Sequence, residues 1–163
     1  MVAEVSIRRA RPADVSALVA LCIEHAAFEG VSLACGPDAQ ALQHALFGAA
    51  PPLLCWVAEY NGEVLGYATA TREFSTWQAA YYLHMDCLYL KPEGRNNGLG
   101  ERLMGMLAGD ALRLECKEIQ WQTPAANLRA ASFYRRLGAQ AKDKLRFYLT
   151  ASDLDVLARC CHA

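Results

Sequence analysis

This chain has no excess of one charge, no long apolar run and no metal-binding spacing, and each absence removes a class of function. Sixteen Lys and Arg stand against 17 Asp and Glu, a formal net charge of -1. There is no basic surplus to neutralise a nucleic-acid backbone, so no nucleic-acid partner is expected. No apolar stretch approaches the roughly 18 residues a membrane-spanning helix needs, so no membrane partner is expected either. The opening Met-Val-Ala-Glu-Val-Ser-Ile-Arg-Arg lacks the pattern of a secretory leader and reads as a first strand. Repeats, low-complexity tracts and interdomain linkers are absent, which predicts one domain over residues 1–163. The seven cysteines, at 22, 35, 55, 87, 116, 160 and 161, form no Cys-x-x-Cys and no His/Cys cluster at zinc spacing, so no metal is expected. Several sit in apolar segments, where Cys acts as a small hydrophobe. They point to a reduced, cytoplasmic protein in which only the Cys160–Cys161 pair invites oxidation between molecules.

What is present is a core-forming chain, 54% hydrophobic. Val5 to Arg8 reads as a strand. Pro12-Ala13-Asp14 opens a helix whose apolar positions Val15, Leu18, Val19, Cys22 and Ile23 recur at helical spacing until Gly30. Pro37-Asp38 starts a second helix through Leu46. Leu53–Tyr60, an Asn61-Gly62 turn and Glu63–Thr71 form a hairpin, and Tyr81–Leu90 a third long strand. A helix follows from Gly98 to about Leu114, then a strand at Glu118–Gln122. Asn127–Leu137 is a helix closed by Gly138. Lys144–Thr150 is a last strand, and a short helix starts near Asp153. This order predicts a mixed α/β sheet with helices on both faces.

The most informative stretch joins the third strand to its helix: Leu88-Tyr89-Leu90-Lys-Pro-Glu-Gly-Arg95-Asn96-Asn97-Gly98-Leu99-Gly100. Glycines admit close approach of a ligand to the backbone. The first amides of the helix have no intrahelical acceptor, and the helix N-terminus is partially positive, so the segment suits a pyrophosphate. The spacing is wrong for a Rossmann fingerprint and lacks the Gly-Lys-Ser/Thr ending of a Walker loop.

Arg95-x-x-Gly98-x-Gly100 after an apolar strand resembles the acetyl-CoA loop of the GNAT N-acetyltransferases. Asn127-Leu-Arg-Ala-Ala-Ser-Phe-Tyr134-Arg-Arg-Leu-Gly138-Ala139 is similar to that family's Asn-x-x-Ala-x-x-Phe/Leu-Tyr-x-x-x-Gly helix. The likeness runs from Ile7 to about Leu149. It implies a mostly antiparallel sheet of about six or seven strands and acetyl-CoA as cofactor. Leu88, Tyr89, Leu90, Arg95, Asn96, Asn97, Gly98, Leu99, Gly100, Asn127 and Tyr134 are then the cofactor-binding residues. It also implies that Tyr134 faces the thioester sulfur, as proton donor to the leaving thiolate. Asn96 and Asn97 stand where the family often has Gly and a basic residue. Read without the family, Tyr134 is a packing tyrosine with a satisfied hydroxyl.

Ile23-Glu-His-Ala-Ala-Phe-Glu29 further resembles the Leu/Ile-x-Glu-Leu-Ala-x-Tyr-Glu segment of the spermidine/spermine (diamine) acetyltransferases. In that subgroup a carboxylate, more often Glu, lies nine residues before the loop Arg, and counting back nine from Arg95 reaches Asp86. Alternation along the strand puts His84, Asp86, Leu88 and Leu90 on one face. Asp86 is then the base, directly or through water, or half of a structural pair with His84; His84 is the substitute base. Glu29 and Trp77 are candidates for substrate binding beside Asp86, and Trp77 is equally a packing residue. The expected reaction is direct acetyl transfer to a primary amine, polyamine-like or amino-acid-like, by a homodimer. A peptide or aminoglycoside acceptor, or a non-catalytic acyl-CoA sensor, remain alternatives.

Overall fold

The computed structural model describes residues 5–33 and 36–160. Cys35, Cys161 and the Cys160 side chain lie outside the described residues. The chain divides into two compact units, residues 1–127 and 128–163.

In the first unit, strands β1 (Val5–Arg9), β2 (Leu53–Tyr60), β3 (Glu63–Ser75), β4 (Ala80–Leu90) and β5 (Ile119–Gln120) form one sheet in that order. The first three pairings are antiparallel, and β4 with β5 is parallel. Asn61 and Gly62 both take positive φ, 49° and 84°, as the two-residue hairpin turn requires. β3 runs four residues past its expected end at Thr71. Cross-strand contacts carry it: Phe74 and Tyr81 meet edge to face at 5.1 Å, the Arg72 guanidinium lies over the Tyr81 ring, and Tyr82 Oη donates to Glu73 at 2.9 Å.

Helix α1 (Val15–Phe28) follows a short 3-10 turn at Pro12–Asp14, and α2 (Ala39–Phe47) is capped by Asp38, whose Oδ1 accepts from the Gln40 and Ala41 amides. Their Leu18, Leu21 and Leu46 pack with Cys55, Val57, Tyr67 and Tyr89 on one sheet face. Helix α3 (Leu99–Arg113) covers the other face, where Ala58, Ala68 and Ala70 are fully buried and small enough for close approach. Helices thus lie on both faces, as expected.

Asp14 binds the Arg8 guanidinium through both oxygens, at 2.7 and 2.9 Å, and accepts from the Arg11 amide. Arg8 holds its carboxyl below the ordinary 3.8. A depressed folded-state pKa gives stability that is complete above pH 3.8 and lost as pH falls through the folded value. In urea titrations the stability advantage of wild type over Asp14→Asn should therefore be constant above about pH 5 and shrink below about pH 4. A constant difference at all pH values would remove the ion pair as its source.

The second unit holds α4 (Leu128–Arg136) and α5 (Ala151–Cys160). Residues 139–150 carry neither helix nor strand, which corrects the expected strand at Lys144–Thr150. Strand identity needs a ladder partner as well as β-forming residues, and among the described residues this segment has none. The described sheet accordingly has five strands instead of about six or seven.

Candidate active site

Strand β4 carries the geometry that matters. Cys87 pairs with Thr69 and Met85 with Ala70, so Asp86 has no partner on β3 and is the extra residue of a β-bulge. The bulge overturns the simple alternation. His84 sits opposite Thr71 on the α1 side, while Leu88 and Leu90 sit opposite Ala68 and Gly66 on the α3 side. Asp86 belongs with His84: its Oδ2 accepts from Cys87 Sγ at 3.5 Å, and its charge is felt by Cys22 and His25 of α1. Asp86 is exposed and His84 half-buried. Among the described residues no hydrogen bond joins them, so they are not a structural pair.

The second edge of β4 pairs with β5 only at Leu83 and His84. From Met85 to Leu90 that edge has no ladder partner among the described residues, and the Leu90 carbonyl accepts from the Arg95 side chain instead. The strand leads directly into the loop. Gly98 takes φ 74° at the N-cap of α3, where a Cβ would meet nothing within 4 Å. The first α3 bond runs from the Arg102 amide to the Gly98 carbonyl, and no side chain caps the helix. The amides of Leu99, Gly100 and Glu101 therefore lack intrahelical acceptors. Such a cradle fits a pyrophosphate, and the β4 edge beside it fits an amide-bearing arm, which are two of the parts of coenzyme A.

Arg95 keeps its place in this loop but sends its side chain elsewhere. Its Nε donates to the Leu90 carbonyl at 2.8 Å, and its guanidinium lies 4.7 Å over Phe28 and 5.7 Å over Tyr89. It ties the loop to α1. Asn96 takes φ 64°, a conformation Asn tolerates. Asn97 Nδ2 bonds the Glu93 carbonyl at 3.4 Å.

Beyond β4, α1 supplies a polar wall. Glu29 is the C-cap residue of α1, 3.6 Å from His25 Nε2. Glu24 accepts from Tyr89 Oη at 3.4 Å. Trp77, on the turn between β3 and β4, is 98% exposed, so it is not a packing residue. His25 and Phe28 were not singled out from sequence; the only sequence signal for His25 is its i, i+4 relation to Glu29 at a position where the resembled segment has Leu.

Asn127 donates its amide to the Pro124 carbonyl at 2.8 Å, ending the first unit just before α4. In the second unit Tyr134 is half-buried on α4, its ring tilted against Phe133 at 5.1 Å.

A bulged strand, a half-open parallel pairing and an uncapped glycine turn are the fold features of an acyltransferase. The model of the GNAT acetyltransferase family matches residues 23–139, and the chain belongs to that family. It is 32% identical over 144 residues to a thialysine N-epsilon-acetyltransferase of Bos taurus, covering 83% of this chain and 84% of the relative. The Mus musculus protein of the same name is 30% identical over 146 residues, with 85% of each covered. Among solved structures, an aminoglycoside acetyltransferase from an uncultured soil metagenomic sample superposes with a TM-score of 0.76 at 19% identity, over 90% of this chain and 95% of that one. An aminoglycoside N-acetyltransferase in complex with CoA gives 0.76 at 16%, over 93% and 97%. The last two likenesses concern the fold alone.

Proposed function

We propose that the protein transfers acetyl from acetyl-CoA to a primary amine of a small polyamine-like or amino-acid-like molecule, within a ternary complex. The observation that carries this reading is the bulge at Asp86. It sets a solvent-reachable carboxylate on the α1 side of the strand whose other edge opens beside the Gly98 cradle. Two thialysine N-epsilon-acetyltransferases among the relatives support a small amine over a peptide or an aminoglycoside.

Acetyl-CoA, when bound, supplies the acetyl group as a thioester. The chain's own residues do the rest. A primary amine is protonated at neutral pH and is then no nucleophile. Asp86, directly or through one water, takes that proton, with His84 as the substitute base. The family resemblance gives the Leu88 backbone amide the role of donor to the oxygen that gains charge. Leu88, Tyr89 and Leu90 offer the β4 edge, and the amides at Asn96, Asn97, Gly98, Leu99 and Gly100 hold phosphate. The family resemblance gives Asn127 the role of a cofactor contact and Tyr134 that of the proton donor to the departing sulfur. Glu29 attracts the cationic acceptor, and Trp77, standing clear of the core, closes over it. No metal is needed for any of these steps.

The family match runs from the first compact unit into the start of the second, ending at residue 139, which supports one functional domain over residues 1–163. The resemblance to diamine acetyltransferases supports a homodimer, as does the exposure of Leu145, Phe147 and Tyr148, each more than 80% accessible. Free Cys22, Cys55, Cys87 and Cys116 support a reducing, cytoplasmic setting, and no described helix is long and apolar enough to cross a membrane.

The test is mass spectrometry of products from acetyl-CoA with spermidine, putrescine, a lysine analogue, an aminoglycoside and a short peptide. Acetylation of spermidine, putrescine or the lysine analogue is expected. Modification of the peptide or the aminoglycoside alone would overturn the small-amine reading.

A further inference from the structure

His25 is the least ordinary residue of α1. The segment it belongs to resembles one with Leu at this place, and here an imidazole is set into an otherwise apolar contact with the sheet. Its side chain is only 16% exposed. The ring stacks on Tyr89 at 5.1 Å and 21°, and Nδ1 lies 3.2 Å from the hydroxyl of Tyr67, itself 2% exposed. The other nitrogen, Nε2, lies 3.6 Å from the Glu29 carboxylate.

The Tyr67 hydroxyl can donate to Nδ1, and the neutral ring then carries its hydrogen on Nε2, which faces the Glu29 carboxylate 3.6 Å away. Burial lowers the His25 pKa from 6.5, which keeps the ring neutral. Cys22 and Cys87 lie near the same phenol, and burial pushes both thiols up, Cys87 to about 12, so they stay protonated. The result is a polar line running from the core outward, from the Tyr67 phenol to the His25 imidazole and on toward the Glu29 carboxylate. The same ring feels the charges of both Glu29 and Asp86.

We propose that His25 is a specificity-determining positioning residue: anchored by the buried Tyr67 hydroxyl, it holds Glu29 as the docking carboxylate for the distal ammonium of a diamine whose other nitrogen is acetylated at Asp86. This rests on the amine-acetyltransferase reading above. A flexible Glu at a helix end loses rotamer entropy on binding a cation, and a fixed donor beside it removes part of that loss beforehand. A neutral His does so without cancelling the negative charge.

The test compares 1,5-diaminopentane with 1-aminopentane as acceptors. In His25→Leu the preference for the diamine, read as the ratio of the two KM values, should fall about five- to tenfold, the scale of one modest polar interaction. The change should lie in KM and not in kcat. His25→Gln, whose amide can accept from Tyr67 and donate to Glu29, should restore most of the preference, which also guards against a folding defect in the Leu variant. An unchanged ratio, or equal loss for both amines, would overturn the proposal. Calorimetric titration of 1,5-diaminopentane into the CoA-bound protein separates the two levels. Binding that weakens in His25→Leu and Glu29→Gln without any turnover in wild type would retain the docking role while removing the transferase reading. No diamine binding at all would remove the docking role.

Discussion

Tyr134→Phe should lower kcat by about 10²- to 10³-fold while acetyl-CoA affinity stays within about twofold of wild type. The substitution is selective because Phe preserves the ring that meets Phe133 at 5.1 Å and deletes only the hydroxyl. Its size follows from the acidities involved. Phenols titrate near about 10 and alkyl thiols near about 8.5, so handing a proton to the departing thiolate is uphill by about 2 kcal/mol. That mismatch puts the expected loss in the middle of the range for general-acid catalysis, not at its upper end. Steady-state kcat with the best amine of the panel, and calorimetric CoA binding, are the two readouts. An unchanged kcat would leave the sulfur to be protonated by solvent. A parallel loss of affinity would make the hydroxyl a cofactor contact instead of an acid.

How much of this could be read without coordinates depends on how local each determinant is. The hairpin was legible because Asn61-Gly62 forces the turn and the turn fixes the register. The loop was legible because Gly98 must be Gly at a positive φ and Leu99 opens the helix directly after it. The bulge was not. Alternation predicted His84, Asp86, Leu88 and Leu90 on one face, and a single unpaired residue moved the two leucines to the other. Nothing in His-Met-Asp-Cys announces it, since a bulge is fixed by how two sheet faces are packed. The last strand failed for the opposite reason. Leu145-Arg-Phe-Tyr-Leu has the composition of a strand, but a ladder is a relation between two segments and composition describes only one. His25 escaped because an imidazole amid apolar residues gains its meaning from Tyr67, 42 residues away in the chain.

Asp110→Ala carries the second large effect, on stability. Asp110 lies in α3, 4% exposed, and accepts from Trp56 Nε1 at 2.7 Å, Arg9 at 2.6 Å and Arg113 at 3.1 Å. The Arg9 guanidinium also sits 4.4 Å over the Trp56 ring, so one carboxylate joins β1, β2 and α3. Adhesion of α3 does not depend on it. Leu99, Leu103 and Leu107 are 2% exposed or less, and each fully buried Leu stabilises by about 1.5–3 kcal/mol. Asp110 instead fixes where along the sheet the helix rests, because three donors converge on one carboxylate. Truncation leaves the indole N–H and the guanidinium without their acceptor. The general cost of breaking such a buried pair is about 3–5 kcal/mol, and Arg9, partly exposed, recovers some of it through water. A loss of about 3 kcal/mol is expected, which in a chain of this size lowers Tm by roughly 6–12 °C. Asp110→Asn, which keeps one oxygen for the indole, should lose less, and in the Trp56→Phe background the Asp110→Ala penalty should shrink. Calorimetry of wild type and the four variants measures all of this, and additive single and double variants would mean that Trp56 and Asp110 do not act together. The register of α3 also sets the height of Gly98 and the amides after it. Asp110→Ala should therefore weaken CoA binding even at a temperature where the variant is fully folded, and full-strength binding there would uncouple the brace from the cradle.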